Sequence, residues 1–219
     1  MFRSDQLVSV LHNSRKDYKV LSINGSRFSR YETHYFDTSD LEMYTQHHNG
    51  RLNRHKVRFR DYLDSGTSYF EVKFKSNKGR TIKYRVKLDE KMHEISGQSA
   101  QLLSLNTQYD AGMLSEAIQV NYNRITLVNN NLSERVTIDT GLTYIFDGEN
   151  FAFHDLVIAE VKQDRTGNSA FVNLMQSEHI HSMSMSKYCL GIASMNKHVK
   201  SNRFKPKLLN INKLCHENA

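Results

Sequence analysis

The chain reads RLNRHKVRFR at positions 51–60, TSYFEVKFKSNKGR at 67–80 and TIKYRVKL at 81–88. In each segment charged or polar residues alternate with apolar ones, and this period of two is typical of β-strands with one cationic and one apolar face. The turn sequences DSG at 64–66 and NKG at 77–79 separate the three segments. These short connections predict three neighbouring strands joined as antiparallel hairpins.

The three strands carry most of the excess charge of the protein. Positions 51–90 hold 12 Lys or Arg and 5 Asp or Glu, a net of +7, which equals the formal charge of all 219 residues. Neighbouring strands that present cations to one side repel one another unless that side meets water or an anion. The pattern predicts an anion-binding face, and the solvated outer face of a β-sandwich stays open as the alternative.

The rest of the chain supplies further strands and helices. We predict a first helix capped by Ser4 and helices over 40–48, 98–117, 169–180 and 186–195, with strands over 31–36, 118–128, 135–140, 142–146 and 153–163. Seven or eight antiparallel strands with helices packed outside indicate an α+β fold whose strands form a closed β-barrel, because closure removes exposed sheet edges. We expect residues 1–200 to form this single domain and residues 201–219 a basic C-terminal tail.

The composition narrows the class of protein without choosing a ligand. Two cysteines in a chain of this size do not form a disulfide framework, and this favours a reducing, cytoplasmic location. No apolar run is long enough to insert into a membrane. The net positive charge suits nucleic acids, polyphosphates, phosphorylated ligands or an acidic membrane surface. No P-loop, His-Glu-x-x-His or Cys-x-x-Cys motif is present to indicate other chemistry.

The later strands repeat the polar alternation of the earlier ones. Tyr122 and Arg124 lie two residues apart, as do Glu160 and Lys162, and Arg135 begins a similar series with Thr137 and Asp139. If every strand points its polar series inward, the barrel encloses a tunnel ringed by cations and a few carboxylates. Small barrels usually fill with apolar side chains, so a charged interior implies a ligand.

Several short motifs, taken in order, resemble one family. They are YFDT (35–38), HNGRLNRHKVRFR (48–60), FEVK (70–73), NKGRTIK (77–83), YNR (122–124), RVTIDT (135–140), AEVK (159–162) and SKYC (186–189). This series, over roughly residues 30 to 195, resembles the VTC domain, the catalytic domain of the vacuolar transporter chaperone polyphosphate polymerases and their bacterial relatives. That domain lies within the triphosphate tunnel metalloenzyme superfamily.

The resemblance implies a tunnel that binds ATP and a growing polyphosphate chain, holds Mn²⁺ or Mg²⁺, and transfers the γ-phosphoryl group onto the chain. Carried onto matching positions, it implies two catalytic residues, Glu160 and Lys187, with Glu160 as the metal ligand. It also implies a set of substrate-binding residues: Arg58, Arg60, Lys73, Lys83, Tyr122, Arg124, Arg135 and Ser186. Phosphoryl transfer depends on positioning and charge neutralisation, which cations and a divalent metal supply.

Two positions depart from the family pattern. Relatives open with a strand that contains a Glu-Arg-Lys-like run, whereas here Met1-Phe2-Arg3 leads almost directly into the first helix, so we expect that strand to be missing. Relatives also carry a lysine two residues before the serine of the Ser-Lys pair, and this chain has Ser184 there. Both differences reduce the number of cations around the expected tunnel.

Three other functions compete with the polymerase. A triphosphatase or polyphosphatase would use water in place of the acceptor phosphate in the same tunnel. A non-catalytic module would bind or sense polyphosphate. A nucleic-acid-binding barrel would instead carry a cationic outer groove with exposed aromatic residues. Our leading prediction is the polymerase, with ATP and polyphosphate as partners, no nucleic acid, and a membrane protein as a further possible partner.

Overall fold

The computed structural model describes residues 1–163 and 167–216. Within these ranges ten strands are formed: β1 (Phe2–Arg3), β2 (Tyr18–Val20), β3 (Phe28–Asp37), β4 (Arg54–Tyr62), β5 (Thr67–Lys75), β6 (Thr81–Leu88), β7 (Ser115–Asn129), β8 (Glu134–Phe146), β9 (Glu149–Phe153) and β10 (Leu156–Gln163). The α-helices are α1 (Leu7–Ser14), α2 (Glu42–His48), α3 (Gly97–Asn106), α4 (Ala170–Ser177), α5 (Lys187–Met195) and α6 (Lys205–His216).

The strands form one antiparallel sheet in the order β1-β10-β8-β7-β3-β4-β5-β6, with β2 on β7 and β9 on β8. The α+β class is confirmed, but the closed barrel is wrong. Within residues 1–163 and 167–216, no pairing joins β6 to β10 or to β1, so the sheet has two free margins. The sheet curves strongly enough that β6 and β10 still line one cleft.

The first strand is short, although the sequence led us to expect none. Phe2 and Arg3 pair with Val157 and Leu156, and Phe2 is buried in a core cluster beneath α1 and α4. This pairing occupies the free edge of β10 at its start. The edge is therefore unavailable there for hydrogen bonds to β6, which gives one physical reason why the sheet does not close.

The alternation in β4 and β5 divides the sheet into the two faces that the sequence predicts. Val57, Phe59, Phe70 and Val72 are almost fully buried in a cluster on the convex side, where Leu103 of α3 packs. Their cationic neighbours point to the concave side and line the cleft. The helical layer over the convex face therefore determines which residues face inward.

Helix α5 packs against the concave side and determines where the cleft ends. Tyr188 and Ile192 lie in a cluster with Ile118, Leu142 and Tyr144 of the central strands. The helix begins at the cleft, because its N-terminal residue Lys187 is among the lining residues. The apolar residues of α5 thus pack against the central strands, and this packing supports the polar residues at the end of the cleft.

Asp37, at the end of β3, connects α2 and α5 to the sheet. Its buried carboxylate accepts hydrogen bonds of 2.9 Å from the backbone N–H groups of Met43 and Tyr44, and it accepts a further one from the Tyr188 hydroxyl. Burial raises the pKa of Asp37, while these donors act against that rise. One side chain therefore caps α2 and orients the N-terminal turn of α5.

Several secondary-structure predictions need correction. The strand expected over 153–163 is divided between β9, which ends at Phe153, and β10, which begins at Leu156. Ser4 is the first residue of a short 3-10 helix whose N-cap is Arg3, so Ser4 is not the cap.

The helix expected over 98–117 ends at Asn106, and β7 has begun by Ser115. The strands expected at 135–140 and 142–146 form one continuous strand, β8. Gly141, between the two expected strands, lies within β8 and has a positive φ of 62°. In the segment expected to be a basic tail, α6 buries Ile211 completely and Phe204 contacts Tyr44. The domain boundary at residue 200 stays a prediction.

The close approach of α5 to β7 and β8 gives a test of the packing. A Cβ at Gly191 would lie 2.5 Å from Cε1 of Tyr144 and 2.7 Å from Cδ1 of Ile118, which is closer than real Cβ contacts. We therefore expect Gly191→Ala to lower the free energy of unfolding by about 1–3 kcal/mol, the usual cost of overpacking. Gly112→Ala is the matched control, since nothing lies within 4 Å of its Cβ position. Equal urea midpoints for the two variants would contradict this packing.

Candidate functional site

A cleft of about 560 Å³ lies on the concave face of the sheet. Its lining comes from β3 to β7, β10, α5 and the segment before α5. The lining includes one carboxylate, that of Glu160, and eight basic residues: Lys56, Arg58, Arg60, Lys73, Lys83, Arg124, Lys162 and Lys187. Such an excess of cations in one concavity favours a ligand with several negative charges.

The first group of cations is organised by Glu71 of β5. Its fully buried carboxylate lies 2.5 Å from Nη2 of Arg58 and also pairs with Lys83. Arg58 donates a further hydrogen bond to the Tyr35 hydroxyl over 3.0 Å. Burial alone would raise the pKa of Glu71, but Arg58 and its cationic neighbours hold that pKa well below its usual range. Glu71 therefore stays ionised and fixes Arg58 and Lys83 in place.

The second group of cations is organised by Asp139 of β8. Its two oxygens accept hydrogen bonds of 2.6 and 2.7 Å from Nε and Nη2 of Arg124, which makes this ion pair bidentate. Nζ of Lys187 lies 2.5 Å from Oδ2 of the same carboxylate. The Tyr122 ring lies beside both cations, 5.3 Å from Arg124 and 4.9 Å from Lys187. Asp139 thus brings residues of β7 and α5 together, and aromatic faces add cation–π stabilisation.

Two hydroxyl groups in the cleft have different surroundings. The Ser186 hydroxyl accepts a hydrogen bond of 2.8 Å from Nζ of Lys56. It also caps α5 by accepting a hydrogen bond from the backbone N–H of Cys189. The buried Tyr122 hydroxyl has no hydrogen-bond partner among residues 1–163 and 167–216. An unpartnered buried hydroxyl is costly unless something else satisfies it.

Lys73 on β5 lies among the cations of the first group. The positive charge of Arg58, followed by burial and by Arg60, lowers the pKa of Lys73 to about 6. In the ligand-free protein near neutral pH, this amine is largely uncharged. An anionic ligand would stabilise the charged form of this amine, so binding of an anion would protonate Lys73 and add one positive charge to the site.

Glu160 and Arg135 lie nearer to the margin of the site. Glu160 lines the cleft with a side chain 56% exposed, 3.4 Å from Nζ of Lys162. Arg135 lines a separate cavity of about 310 Å³ that includes Lys162, Glu134 and Gln163. The two cavities therefore have Lys162 in common.

Nine of the ten predicted site residues line the main cleft, and Arg135 is the one that does not. Their roles in binding or catalysis stay predictions. Sequence reasoning did not include Lys56, Tyr35 or Lys162 in the site, although Lys56 and Lys162 belong to alternations that had been recognised. It also gave no role to Glu71 or Asp139, the buried partners of the cations.

The donor atoms of the cleft determine which kind of metal they could hold. Glu71 and Asp139 are both paired with Arg and Lys, and this leaves Glu160 as the accessible carboxylate among the lining residues. Mg²⁺ is usually held by one or two carboxylates together with phosphate oxygens and water. This donor set fits an ion shared between the protein and a phosphate ligand, and it does not form an all-protein cage.

The position where relatives carry a lysine has a different neighbour here. Ser184 is exposed, and its hydroxyl accepts from Nζ of Lys207 over 2.9 Å. Lys207 belongs to α6 and lines a small cavity beside the cleft, together with Ser186. A cation is thus supplied next to this position by a helix that the sequence analysis had not predicted.

Comparisons with known proteins agree with this architecture. The family model described as VTC domain matches residues 1–196. A solved structure from Vibrio parahaemolyticus, named as a candidate adenylate cyclase, has a TM-score of 0.51 at 14% identity, covering 86% of this chain and 94% of that chain. A Hippeastrum protein, named as a candidate adenylyl cyclase with a dominant triphosphatase activity, has a TM-score of 0.51 at 12% identity, covering 88% and 92%.

At these identities the two structures show a shared fold. Among curated proteins, no sequence matches this chain. Over residues 1–163 and 167–216, none of the helices combines the length and the apolar character needed to cross a bilayer.

The low pKa of Lys73 predicts proton uptake on ligand binding. Between a pH of about 6 and the ordinary lysine value of about 10.4, the free protein holds this amine neutral and a bound polyanion protonates it. Affinity for tripolyphosphate should therefore fall as the pH rises through this window. Calorimetry at about pH 8, in buffers with different ionisation enthalpies, should detect the uptake.

The matched control for this measurement is Lys73→Met, which removes the titrating amine and keeps much of its length. It should take up about one proton fewer per ligand bound, since a single titrating group has been removed. If wild type and Lys73→Met take up the same number of protons, the uptake does not come from Lys73.

Proposed function

The chain belongs to the VTC domain family, and we propose that it is a metal-dependent polyphosphate polymerase that transfers the γ-phosphoryl group of ATP to a growing polyphosphate chain. The observation that carries the proposal is the cleft, in which eight cations and a single accessible carboxylate converge on one cavity. This composition suits a substrate and a product that are both chains of phosphate groups.

Transfer between phosphates needs alignment and neutralisation of charge more than covalent chemistry by the protein. Arg58 and Arg124, each held by a buried carboxylate, would grip the phosphates in fixed positions. Lys187 at the start of α5 would neutralise charge that develops on the transferred group. The N-terminus of α5 adds a favourable dipole for an anion there.

Glu160 is the residue that would hold Mn²⁺ or Mg²⁺, since it is the carboxylate exposed in the cleft. When bound, the ion would neutralise phosphate oxygens and hold neighbouring phosphates in register. The roles of the other lining residues do not depend on which of the two ions is used.

Support for a polymeric ligand comes from the second cavity. Lys162 lines both the main cleft and the cavity that contains Arg135. A cationic path therefore leads beyond the space that a triphosphate would occupy. A long polyphosphate would contact Arg135 in addition to the residues of the cleft.

A triphosphatase is the second candidate, and the unclosed sheet favours it. No strand pairing seals the margin between β6 and β10 in the part of the chain that the structure describes, so water has a route to the phosphates. The Hippeastrum neighbour is named for such an activity. A nucleic-acid-binding barrel is less consistent with the site, because these cations face the concave side. The cytoplasmic location and a membrane-protein partner stay predictions.

The deciding experiment incubates the purified chain with ATP and Mn²⁺ and measures acid-stable phosphate polymer, with free phosphate measured in parallel. Polymer formation supports the polymerase. Release of free phosphate without polymer identifies a hydrolase. Neither product, together with tight binding of polyphosphate, would establish a binding module and overturn both enzyme proposals.

Glu160→Gln separates catalysis from binding. The substitution keeps the shape of the side chain but removes its negative charge, so metal-dependent turnover should fall by at least about a hundredfold, equivalent to about 2.7 kcal/mol of transition-state stabilisation. Polyphosphate should still bind, because a negative charge is lost from a cationic cleft. Turnover rates and equilibrium binding are measured on both proteins. Wild-type turnover in the variant would remove Glu160 from the metal site.

Arg135→Ala tests the path beyond the cleft. We expect it to weaken binding of long-chain polyphosphate by about 1.5–3 kcal/mol, the range for a hydrogen bond to a charged group, while tripolyphosphate binding changes little. Arg60→Ala is the comparison within the cleft and should weaken both ligands, more at low salt than at high salt. If Arg135→Ala weakens both ligands equally, the proposed path is wrong.

A further inference from the structure

A second cluster of metal-binding side chains lies on the opposite face of the sheet from the cleft. Glu32 and His34 of β3 alternate with the inward residues Tyr31 and Tyr35, so they face outward. Asp61 is the direct cross-strand partner of Glu32 on β4. His93 reaches the same point from the segment between β6 and α3, and one ligand atom from each of Glu32, His34, Asp61 and His93 lies within 4.8 Å of all the others.

The donor set and its spacing match those of a tetrahedral ion. Two imidazole nitrogens and two carboxylate oxygens are typical zinc ligands, and bonds of about 2.1 Å would place them about 3.4 Å apart. Two pairs are already closer than this. His34 Nε2 lies 2.9 Å from Glu32 Oε1, and His93 Nε2 lies 2.7 Å from Asp61 Oδ2. The other pairs of ligand atoms lie within 4.8 Å, and His93 lies outside the strands, where a shift toward the other ligands breaks no strand pairing.

His34 also has the outer partner expected of a metal ligand. Its second ring nitrogen, Nδ1, lies 2.8 Å from a carboxylate oxygen of Glu116 on β7. Metal-bound histidines nearly always donate their other N–H to a carboxylate, a backbone carbonyl or water, which fixes the tautomer and the ring orientation. Glu116 would hold Nε2 of His34 unprotonated and directed at the cluster.

The two carboxylates need a cation between them. Glu32 and Asp61 lie directly opposite each other on neighbouring strands, an arrangement that is destabilising for like charges. Asp61 is 2% exposed, so its negative charge has little access to water. Lys91 now supplies the positive charge, with Nζ 2.9 Å from Glu32 and 3.7 Å from Asp61. Its side chain is 49% exposed, so its amine has a path into solvent when another cation takes its place.

We propose that Glu32, His34, Asp61 and His93 form a divalent-metal site of the zinc class, in which the metal displaces Lys91. The site lies on the convex face and is independent of the phosphate chemistry proposed for the cleft. Its occupation would fasten the segment after β6 to β3 and β4, close to the start of α3. The metal would therefore stabilise the fold without taking part in the reaction.

The test uses Co²⁺ and Zn²⁺ alone, without any phosphate ligand. Wild-type protein with Co²⁺ should give the intense visible absorption of a tetrahedral site, and Zn²⁺ should abolish that absorption and raise the melting temperature. His93→Ala should lose the signal. Glu32→Gln keeps the size of the side chain and should lose it as well, so it decides the matter if His93→Ala does not fold.

Three further variants make the test specific. Lys91→Met removes the competing cation and should bind Zn²⁺ several-fold more tightly than wild type. Glu116→Gln should weaken binding by about 10–100-fold, as expected for a partner behind the ligand. Glu160→Gln is the control from the cleft and should leave the Co²⁺ signal unchanged. The proposal is overturned if Glu160→Gln loses the signal while Glu32→Gln keeps it. It is also overturned if neither wild type nor Lys91→Met gives a Co²⁺ signal.

Discussion

Each of two buried carboxylates, Glu71 and Asp139, is shared by an arginine and a lysine of the cleft. Two unit charges 4 Å apart interact by about 4 kcal/mol at the effective dielectric of a protein surface, so the cations of the cleft could not gather without such counter-charges. Even with Lys73 neutral, the seven other Lys and Arg residues outnumber Glu71, Asp139 and Glu160. The folded protein thus keeps its cations in fixed positions and retains a large net attraction for anions, which is the combination that a site for phosphate chains requires.

The sequence predicted the inward face of the sheet correctly because a period of two leaves a strand only two orientations. Val57 and Phe59 had to be buried, so Arg58 and Arg60 had to face the cleft. The same pattern could not predict closure, which depends on whether the first and last strands come within hydrogen-bonding distance. Nor could it show that Arg135, although in step with Asp139, lies beyond the end of the cleft.

Contacts between distant parts of the chain account for further misses. Asp139 meets Lys187 across 48 residues, and Asp61 meets His93 across 32. No local spacing marks these pairs, and the cluster around Asp61 becomes visible only when β3, β4 and the segment after β6 are assembled. The end of α3 at Asn106 was missed for a different, local reason, because the residues that follow it have no clear sequence period.

The unpaired margins of the sheet affect how the cleft can change its width. In a cylinder sealed by a continuous ladder, a long polymer can leave only through an end, and widening the bore breaks backbone hydrogen bonds. In the described part of this chain, β6 and β10 face each other across the cleft without such a ladder. Separation of the two walls would therefore break no existing strand pair, and under the proposed function a polymer with both ends blocked would have a route into the cleft from the side.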